Sequence, residues 1–318
     1  MHMNYVKRII NSLSLLKKIS NINENVKQVL IEQKNINNNL DVLKILSAQN
    51  LINYNKNSDL TGDIRHAEFK VFSQWGDDGI IQYIINKIEF TKTFIEFGVQ
   101  NYTESNTRFL LMNDNWSGLI IDGSEENIRY IKNDPIFWKY DLKAINCFIT
   151  KKNINEVIKQ AGFENEIGIL SIDIDGNDYW IWETITIVNP IMVVIEFNAV
   201  FGSDRKISTP YSDNFIRENE HFSYLYFGAS LPALIELGKQ KGFSFIGTNS
   251  DSVNAYFLRN DCLNNFTLKT TQHSFSNSKF RESRDASGQL NYLSFEERQN
   301  CIKGLPVINL ETNSLEKF

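Results

Sequence analysis

Apolar residues near the start of the chain recur at alternating intervals of three and four positions. The repeat begins at Leu15, runs through a stretch without glycine, proline or aromatic residues, and is interrupted only by Gln33. Its other members are Ile19, Ile22, Val26, Val29, Ile36, Leu40 and Leu43. This heptad seam predicts a helical coiled-coil segment over residues 1–50 that joins copies of the chain. The alternative is a single amphipathic helix packed against its own domain.

The pattern changes after residue 50. Residues 51–67 lose the periodicity and gain Asn, Asp and Gly, which predicts a linker. Short apolar runs then alternate with amphipathic stretches. The runs cover residues 93–99, 118–124, 144–150, 167–176 and 191–198, and the helical stretches cover 104–114, 125–132, 153–161 and 178–187. This alternation predicts an α/β domain over residues 68–261, a doubly wound and mostly parallel sheet with helices on both faces. Residues 262–318 form a polar C-terminal extension with a helical stretch near 294–304.

Composition narrows the functional classes. The 318 residues are 42% hydrophobic and 22% charged with only 5 prolines, as in globular proteins. A net charge of −5 disfavours binding to nucleic acid or to an anionic membrane. Three widely spaced cysteines indicate a reducing, cytoplasmic compartment. No run of about 18 apolar residues occurs, so no transmembrane segment is expected, and the interrupted N-terminal run does not resemble a secretory signal.

In a doubly wound sheet, ligands bind beyond the carboxyl ends of the strands. The first predicted strand ends in Glu96 and Gly98, and a glycine there lets the backbone approach a ligand. The second ends in Asp122, where such folds hold a ribose, although Asp122 could instead cap the next helix. These acids indicate an adenosine-containing ligand. The lone glycine is not a dinucleotide fingerprint, which disfavours a nicotinamide-dependent oxidoreductase.

The fourth strand end carries the densest group of acids. Asp173, Asp175 and Asp178 fall within six residues, and the next strand ends in Glu196 and Asn198. Crowded carboxylates are tolerated when a proton or a divalent cation lies between them. Oxygen ligands favour Mg²⁺ or Mn²⁺, with Asp173, Asp175 and Glu196 as the predicted set. Alternatively, Asp173 or Asp175 is a general base and Asp178 caps the following helix.

Three further residues are candidates for contact with a substrate. His221 is a second candidate base, because it lies just ahead of the segment YFGASL. Tyr179 is a candidate for stacking on a sugar, although an aromatic residue after a buried strand is more often part of the core. Asp178, Tyr179 and Asn198 are the predicted substrate-binding residues.

Several segments resemble a known family in order along the chain. They are SQWGDDGI (73–80), FIEFGV (94–99), ESNTRFLL (104–111), NWSGLIIDGS (115–124), LSIDIDGNDYWIWE (170–183), VVIEFN (193–198), YFGASLPAL (226–234) and NAYFLRND (254–261). Together they resemble the class I S-adenosylmethionine-dependent methyltransferases, which have a Rossmann-like fold. Within that class they are similar to the FkbM-like branch associated with bacterial glycans and natural-product sugars.

The resemblance implies a cofactor site for S-adenosylmethionine. Glu96, Gly98 and the loop over residues 101–107 would surround its methionine part, and Asp122 would hold its ribose. The residues implied in cofactor binding are Ser73, Gln74, Glu96, Gly98, Asn101, Thr103, Asn106, Thr107, Asp122, Gly123, Ser124, Phe148 and Asp173. The family's loop commonly has a second glycine where this chain has Asn101 and Tyr102. Because Asn tolerates positive φ, we expect Asn101 to preserve the turn.

The function implied by the resemblance is methylation of a sugar hydroxyl during the synthesis of a surface glycan or a related natural product. Its partner would be a sugar or glycan acceptor, and the N-terminal helix would make the protein a homo-oligomer. The alternative is a non-catalytic oligomeric scaffold of a glycan-assembly complex, with a domain that is methyltransferase-like in fold only.

Overall fold

The structure is a computed structural model that describes the backbone of residues 2–318 and the side chains of residues 17–318. The chain divides into two compact units, residues 1–50 and residues 51–318. Helix α1 (His2–Lys56) covers residues 2–50 of the first unit, and its last six residues belong to the second.

The apolar seam of α1 is exposed in the protomer. Its side chains from Ile19 to Leu43 are 47–60% exposed. Leu15, the first member of the predicted seam, lies outside the residues whose side chains are described. The helical prediction for this segment agrees with the structure, whereas its assembly into a coiled coil stays a prediction.

The second unit alternates strands and helices. Its strands are β1 (Thr93–Phe97), β2 (Ser117–Asp122), β3 (Leu142–Asn146), β4 (Asn165–Ile172), β5 (Val188–Glu196), β6 (Ile207–Ser208), β7 (Phe243–Thr248), β8 (Asn254–Arg259), β9 (Pro306–Asn309) and β10 (Ser314–Lys317). Its helices are α2 (Asp77–Ile85), α3 (Arg108–Asp114), α4 (Glu125–Asn133), α5 (Pro135–Lys139), α6 (Ile154–Ala161), α7 (Asp178–Thr184), α8 (Arg217–Glu220), α9 (Leu231–Gln240), α10 (Thr271–Ser274) and α11 (Phe295–Ile302).

Seven strands form one sheet in the order β3-β2-β1-β4-β5-β8-β7. The first five in this order are parallel, and β8 alone runs antiparallel to its neighbours β5 and β7. The predicted doubly wound, mostly parallel, Rossmann-like fold is therefore confirmed. Strands β6, β9 and β10 form a second, smaller sheet.

The strands are continuously apolar because both faces of the sheet are covered. Along β1, Ile95 and Phe97 belong to the core on one face, and Phe94 belongs to the core on the other. Strand β5 repeats this alternation with Val193 against Val194. These strands therefore lack the alternation of polar and apolar residues that is typical of a sheet with one solvent-exposed face.

Several helices begin at serines that cap them. The Ser124 hydroxyl accepts a backbone N–H at the start of α4, and Ser230 does the same for α9. Ser294 and Glu297 form a capping box at α11, the helix predicted near residues 294–304. A cap satisfies backbone donors that the first turn leaves unpaired, which fixes where each helix starts.

Two predicted boundaries differ from the structure. Residues 51–67, predicted as a linker, are helical through Lys56, and the short 3₁₀ turn Ile64–Ala67 packs into the core. The extension after residue 261 belongs to the same compact unit as the sheet, because β9 pairs with β6. Local composition did not indicate either of these tertiary contacts.

Other expectations concern cysteines and membranes. Cys147, Cys262 and Cys301 are all free thiols. Across the described residues, no helix is both long enough and apolar enough to cross a membrane.

Candidate active site

Two cavities lie at the carboxyl ends of the parallel strands and share one wall. The larger has a volume of about 340 Å³ and the smaller about 170 Å³. Gly98 and Gln100, which follow β1, border both cavities, as do Asp173 and Asp175, which follow β4. Because β1 and β4 are neighbours near the middle of the sheet, the shared wall lies where doubly wound folds bind ligands.

Gly98 allows the two strand ends to meet. Its φ is +70°, and a Cβ placed on it would lie 1.6 Å from the carbonyl oxygen of Asp173. No residue with a side chain fits that space. The predicted glycine at the strand end therefore serves a close backbone approach that forms the shared wall.

The loop after Gly98 turns at positions other than the predicted one. Positive φ angles occur at Gln100 (48°) and Tyr102 (62°) and not at Asn101. Asn101 instead accepts hydrogen bonds from the backbone N–H and the hydroxyl of Thr103. The Tyr102 ring is fully buried, and Arg108 donates to its carbonyl oxygen at 2.8 Å, which holds this conformation in place.

Glu96 anchors the same loop from inside the protein. Its carboxylate accepts bonds from the Ser105 hydroxyl at 2.7 Å and from the Asn106 backbone N–H at 2.9 Å. Thr107 adds its N–H and its hydroxyl. Burial raises the pKa of Glu96, and these bonds oppose the shift. Glu96 is absent from both cavity walls, so the structure gives it, Asn106 and Thr107 a positioning role where cofactor contact was predicted.

Asp122 lies at the smaller cavity and organises its entrance. One carboxylate oxygen accepts the Gln100 N–H at 2.8 Å, and the other accepts the Ser124 N–H at 2.8 Å. Ser124 and not Asp122 caps α4, so the alternative capping role is wrong, whereas ligand binding by Asp122 stays a prediction. The remaining wall includes two predicted residues, Gly123 and Phe148, together with Cys147 and Ile149. The Phe148 side chain is 47% exposed and available for stacking.

A compact group of carboxylates lies beside the shared wall. Asp173, Asp178 and Glu196 each place one oxygen within 4.8 Å of the others. Among the described residues, no N–H or hydroxyl donates to Glu196 Oε2. Burial raises the pKa of both groups. The negative charges of Asp175 and Asp178 add to the shift at Asp173, whereas Glu196 opposes it, and the charges of Asp173 and Asp175 add to the shift at Glu196. Two ionised carboxylates this close repel each other. The repulsion is relieved when one of them keeps its proton.

Asp175 is not part of this group. It has a φ of +54° and forms an ion pair with Arg217, whose guanidinium lies 3.8 Å over the Phe227 ring. Asp178 takes its place, although both of its oxygens accept backbone N–H groups of Ile174 and Gly176 at 2.9 Å. The structure therefore groups Asp178, and not the predicted Asp175, with Asp173 and Glu196, and the binding of a metal by these residues stays a prediction. Asp178 was also an alternative candidate for the cap of α7. Its side chain instead accepts hydrogen bonds from the turn that precedes the helix.

The observed carboxylates fit a hard divalent cation by ligand type. All donors are oxygens, and Glu196 Oε2 is a buried acceptor that no N–H or hydroxyl of the described chain satisfies. Asp178 has less capacity left, because its oxygens already accept two backbone bonds. A proton shared by Asp173 and Glu196 fits the same arrangement.

Other predicted residues fall outside the cavities. His221 is half-buried with Nδ1 2.7 Å from the Ser223 hydroxyl, and it borders neither cavity. Tyr179 is buried in the core beside Trp180. His221, the second candidate base, and Tyr179, the candidate stacking residue, therefore do not line the site. A position in the sequence beside a site segment did not determine which way these residues face.

The remaining predicted residues divide between walls and supports. Gln74 and Asn198 border the larger cavity. The Asn198 side chain is committed to the carbonyl oxygens of Leu225 and Phe227, at 2.9 and 3.0 Å. Ser73 is fully buried and bonds Asp78, so it supports the segment that carries Gln74.

Much of the larger cavity comes from residues that the sequence did not indicate. These residues are side chains of the C-terminal extension, together with aromatic and basic residues from earlier segments of the chain. They are Trp75, Arg217, Tyr224, Phe227, Ser278, Phe280, Glu282, Arg284 and Arg298. A concentration of arginines and aromatics in a polar tail was the available signal.

Comparisons with known proteins show distant fold neighbours. No family model matches the chain, and no curated protein matches its sequence. The N-terminal domain of EvdMO1, crystallised in the presence of S-adenosylhomocysteine and D-fucose, is 8% identical with a TM-score of 0.37, over 57% of this chain and 80% of that one. An O-methyltransferase from Bacillus cereus in complex with S-adenosylhomocysteine is 10% identical with a TM-score of 0.35, over 52% and 72%.

A third neighbour is a putative caffeoyl-CoA O-methyltransferase from Staphylococcus aureus. It is 15% identical with a TM-score of 0.40, over 68% of this chain and 99% of that one. At these identities and TM-scores, none of the three is close enough to transfer a function to this chain.

Proposed function

We propose that this protein transfers a methyl group from S-adenosylmethionine to a hydroxyl group of a sugar during glycan synthesis. The observation that carries the proposal is the pair of cavities with a common wall at the ends of β1 and β4. A transfer between two bound molecules requires adjacent sites whose reacting atoms meet at one boundary. The family resemblance of the strand-end segments supports the choice of donor.

The smaller cavity suits the adenosine part of the donor. Asp122 borders it at the end of β2, where a carboxylate accepts hydrogen bonds from ribose hydroxyls. Phe148 and Ile149 offer apolar surface for a purine ring. The charged sulfonium would then lie toward the shared wall, where the carboxylate of Asp173 favours positive charge.

The larger cavity would hold the acceptor hydroxyl beside the carboxyl pair. S-adenosylmethionine supplies an electrophilic methyl group on its sulfonium. As the acceptor oxygen forms its bond to the methyl carbon, the carbon–sulfur bond breaks and its electron pair stays on sulfur. The hydroxyl proton passes to an ionised carboxylate of the Asp173–Glu196 pair, whose oxygens lie within 4.8 Å of each other. A divalent cation held by Asp173, Asp178 and Glu196 stays a prediction for the same step.

Calorimetry and a transfer assay test the proposal together. We expect S-adenosylhomocysteine to bind and NAD not to bind. Labelled S-adenosylmethionine, incubated with the protein and a panel of nucleotide sugars and glycans, should label at least one sugar. Absence of both binding and labelling would favour the scaffold over the enzyme. Labelling of a non-sugar acceptor would retain the methyltransferase and overturn the substrate class.

Replacement of Asp122 by Ala is expected to weaken S-adenosylhomocysteine binding by about 1.5–3 kcal/mol, the scale of hydrogen bonds to a charged group. Asp134→Ala is the matched control, because Asp134 also accepts a backbone N–H at a helix start, that of Ile136, but borders neither cavity. Isothermal titration measures both variants. Equal affinities for Asp122→Ala and the unmodified protein would remove Asp122 from the ligand site.

We also propose that copies of the chain assemble through the seam of α1. A double substitution in the seam, Ile22→Lys with Val29→Lys, should lower the oligomeric state, because charges at core positions of a coiled coil oppose association. The control is Ile31→Lys with Val42→Lys, whose side chains are similarly exposed at 54 and 55% but lie off the seam. Light scattering compares the two. Identical assemblies in both variants would contradict the proposal.

A further inference from the structure

One cation at the larger cavity has no carboxylate partner. Arg298 is only 4% exposed, and its guanidinium donates to the carbonyl oxygens of Phe280 at 2.7 Å and Ser278 at 3.1 Å. Its Nε–H has no acceptor among the described residues, and no Asp or Glu of that part of the chain forms an ion pair with it.

The other two arginines of this cavity are neutralised. Arg217 pairs with Asp175, and Arg284 pairs with Glu282 at 2.8 Å. All three side chains border the same space, yet Arg298 is the most deeply buried. The difference sets Arg298 apart from arginines that are held in place by carboxylates of the fold.

A buried charge without a counterion is costly, because desolvation removes the water that would stabilise it. Two backbone carbonyls and the Phe295 ring, whose centroid lies 5.7 Å from the guanidinium carbon, compensate Arg298 in part. A guanidinium has five N–H donors, so two bonds leave three for another group. The Nε–H is enclosed by the protein, so an anion that enters the cavity would supply the missing charge and accept from the two remaining terminal N–H groups. Carboxylate and phosphate groups match the planar fork of an arginine best.

Aromatic rings beside Arg298 suit the body of a sugar. Trp75 and Phe280 meet edge to face with centroids 5.4 Å apart, and both border the cavity. Phe280 is also one of the residues whose carbonyl Arg298 holds. The C-terminal extension therefore brings an apolar platform and an unpaired cation to one wall.

The acids on the cavity do not occupy this position. Asp175 and Glu282 are paired with arginines, and Glu218 is exposed to water. Asp173 and Glu196 follow β4 and end β5, whereas Arg298 lies on α11. The acid pair and Arg298 thus border the same cavity from different elements.

We propose that Arg298 binds an anionic group of the acceptor, a carboxylate or a phosphate, and so selects acidic sugars. The identification of this ligand as the methyl acceptor rests on the proposed function. Arg298 is a binding residue in this proposal and takes no part in the transfer of the proton or the methyl group.

Binding measurements on the full-length protein test the proposal. Glucuronate, glucose 1-phosphate and glucose are titrated separately in the presence of S-adenosylhomocysteine. We expect at least one anionic sugar to bind about 10-fold or more tightly than glucose. Preference for glucuronate identifies a carboxylate and preference for glucose 1-phosphate identifies a phosphate. Equal binding of all three, or binding of none, would overturn the proposal.

Two variants separate anion binding from a structural clamp. Arg298→Gln removes the charge and leaves a shorter side chain that ends in a neutral amide, so the anionic preference should disappear while glucose affinity stays the same. Arg281→Gln is the control, since Arg281 belongs to the same segment, is exposed and does not border the cavity. Equal losses for anionic and neutral sugars in Arg298→Gln would show a clamp only and overturn the proposal.

A measurement on the unmodified protein covers the case in which Arg298→Gln does not fold. Raising the salt concentration should reduce the anionic preference and leave glucose binding unchanged. A preference that is insensitive to salt would overturn the proposal. Because S-adenosylhomocysteine binding is measured in the same samples, its absence would count against methyl transfer, whereas loss of the anionic preference alone would count against Arg298.

Discussion

Asp173→Asn is expected to slow methyl transfer by about 10²–10⁴-fold at saturating S-adenosylmethionine, the range for loss of a positioned general base. Asp173 borders both cavities and contacts Glu196, so it lies where the acceptor proton must leave. Asn has nearly the same shape but cannot take up that proton. Single-turnover rates with a labelled donor measure the effect on chemistry apart from product release.

The same variant should not lose stability. Burial and neighbouring acids raise the pKa of Asp173, which means that the fold disfavours its charged form. Removing the ionisable group therefore relieves repulsion, and thermal unfolding should occur at the same or a higher temperature. A drop in rate together with a drop in stability would indicate damage to the fold.

Glu218→Gln is the matched control for Asp173→Asn. Glu218 borders the larger cavity as well, but it is exposed and lies outside the carboxylate group. Its replacement should change the rate by less than about threefold. Chelation of the unmodified protein separates the two chemical roles. Activity that disappears with chelator and returns with Mg²⁺ assigns a cation, activity that persists assigns the shared proton, and a fully active Asp173→Asn protein excludes both.

Gly98→Ala is expected to abolish detectable binding of S-adenosylhomocysteine and, with it, methyl transfer. A Cβ at this position would lie 1.6 Å from the carbonyl oxygen of Asp173, so the ends of β1 and β4 must separate. Both cavities depend on this contact because they share these two residues. Isothermal titration measures binding, and chemical denaturation measures the accompanying loss of stability.

Gly162→Ala distinguishes the close approach from backbone strain. Gly162 has a similar φ of +74°, but the nearest atom to an added Cβ is 3.9 Å away, and it borders neither cavity. It should lose about 1 kcal/mol of unfolding free energy from the strained conformation and retain ligand binding. If Gly98→Ala binds the ligand as tightly as Gly162→Ala, the shared wall does not depend on the contact with Asp173.

The central strands could be predicted because a strand that is buried on both faces is a continuous run of apolar residues. Strands β1 to β5 each lie within a few residues of an apolar run, and helices α4 and α6 match amphipathic stretches. The strands of the second sheet do not coincide with such apolar runs. Strand β6 has two residues, and it exists only because β9, about a hundred residues later, pairs with it. Short edge strands depend on distant partners, so their local sequence carries little information.

The candidate site shows the same division. The sequence placed Gly98, Asp122, Asp173 and Glu196 at the ends of strands, and the order of a doubly wound sheet brings such ends together. It could not rank neighbouring acids. Asp175 turns toward Arg217, 42 residues away, and Asp178 turns inward onto backbone amides, although both stand in the same short segment as Asp173.

By itself, the sequence determined where the main strands lie along the chain, which polar residues stand at their carboxyl ends, and the apolar seam of the N-terminal helix. These features follow from periodicity and residue type, which act over a few residues. Only the tertiary structure decided which acids lie together, that residues of the C-terminal extension line the larger cavity, and that Arg298 has no carboxylate partner among the described residues. Those features depend on desolvation and on partners far apart in the chain, because the charge state and accessibility of a side chain are set by everything packed around it.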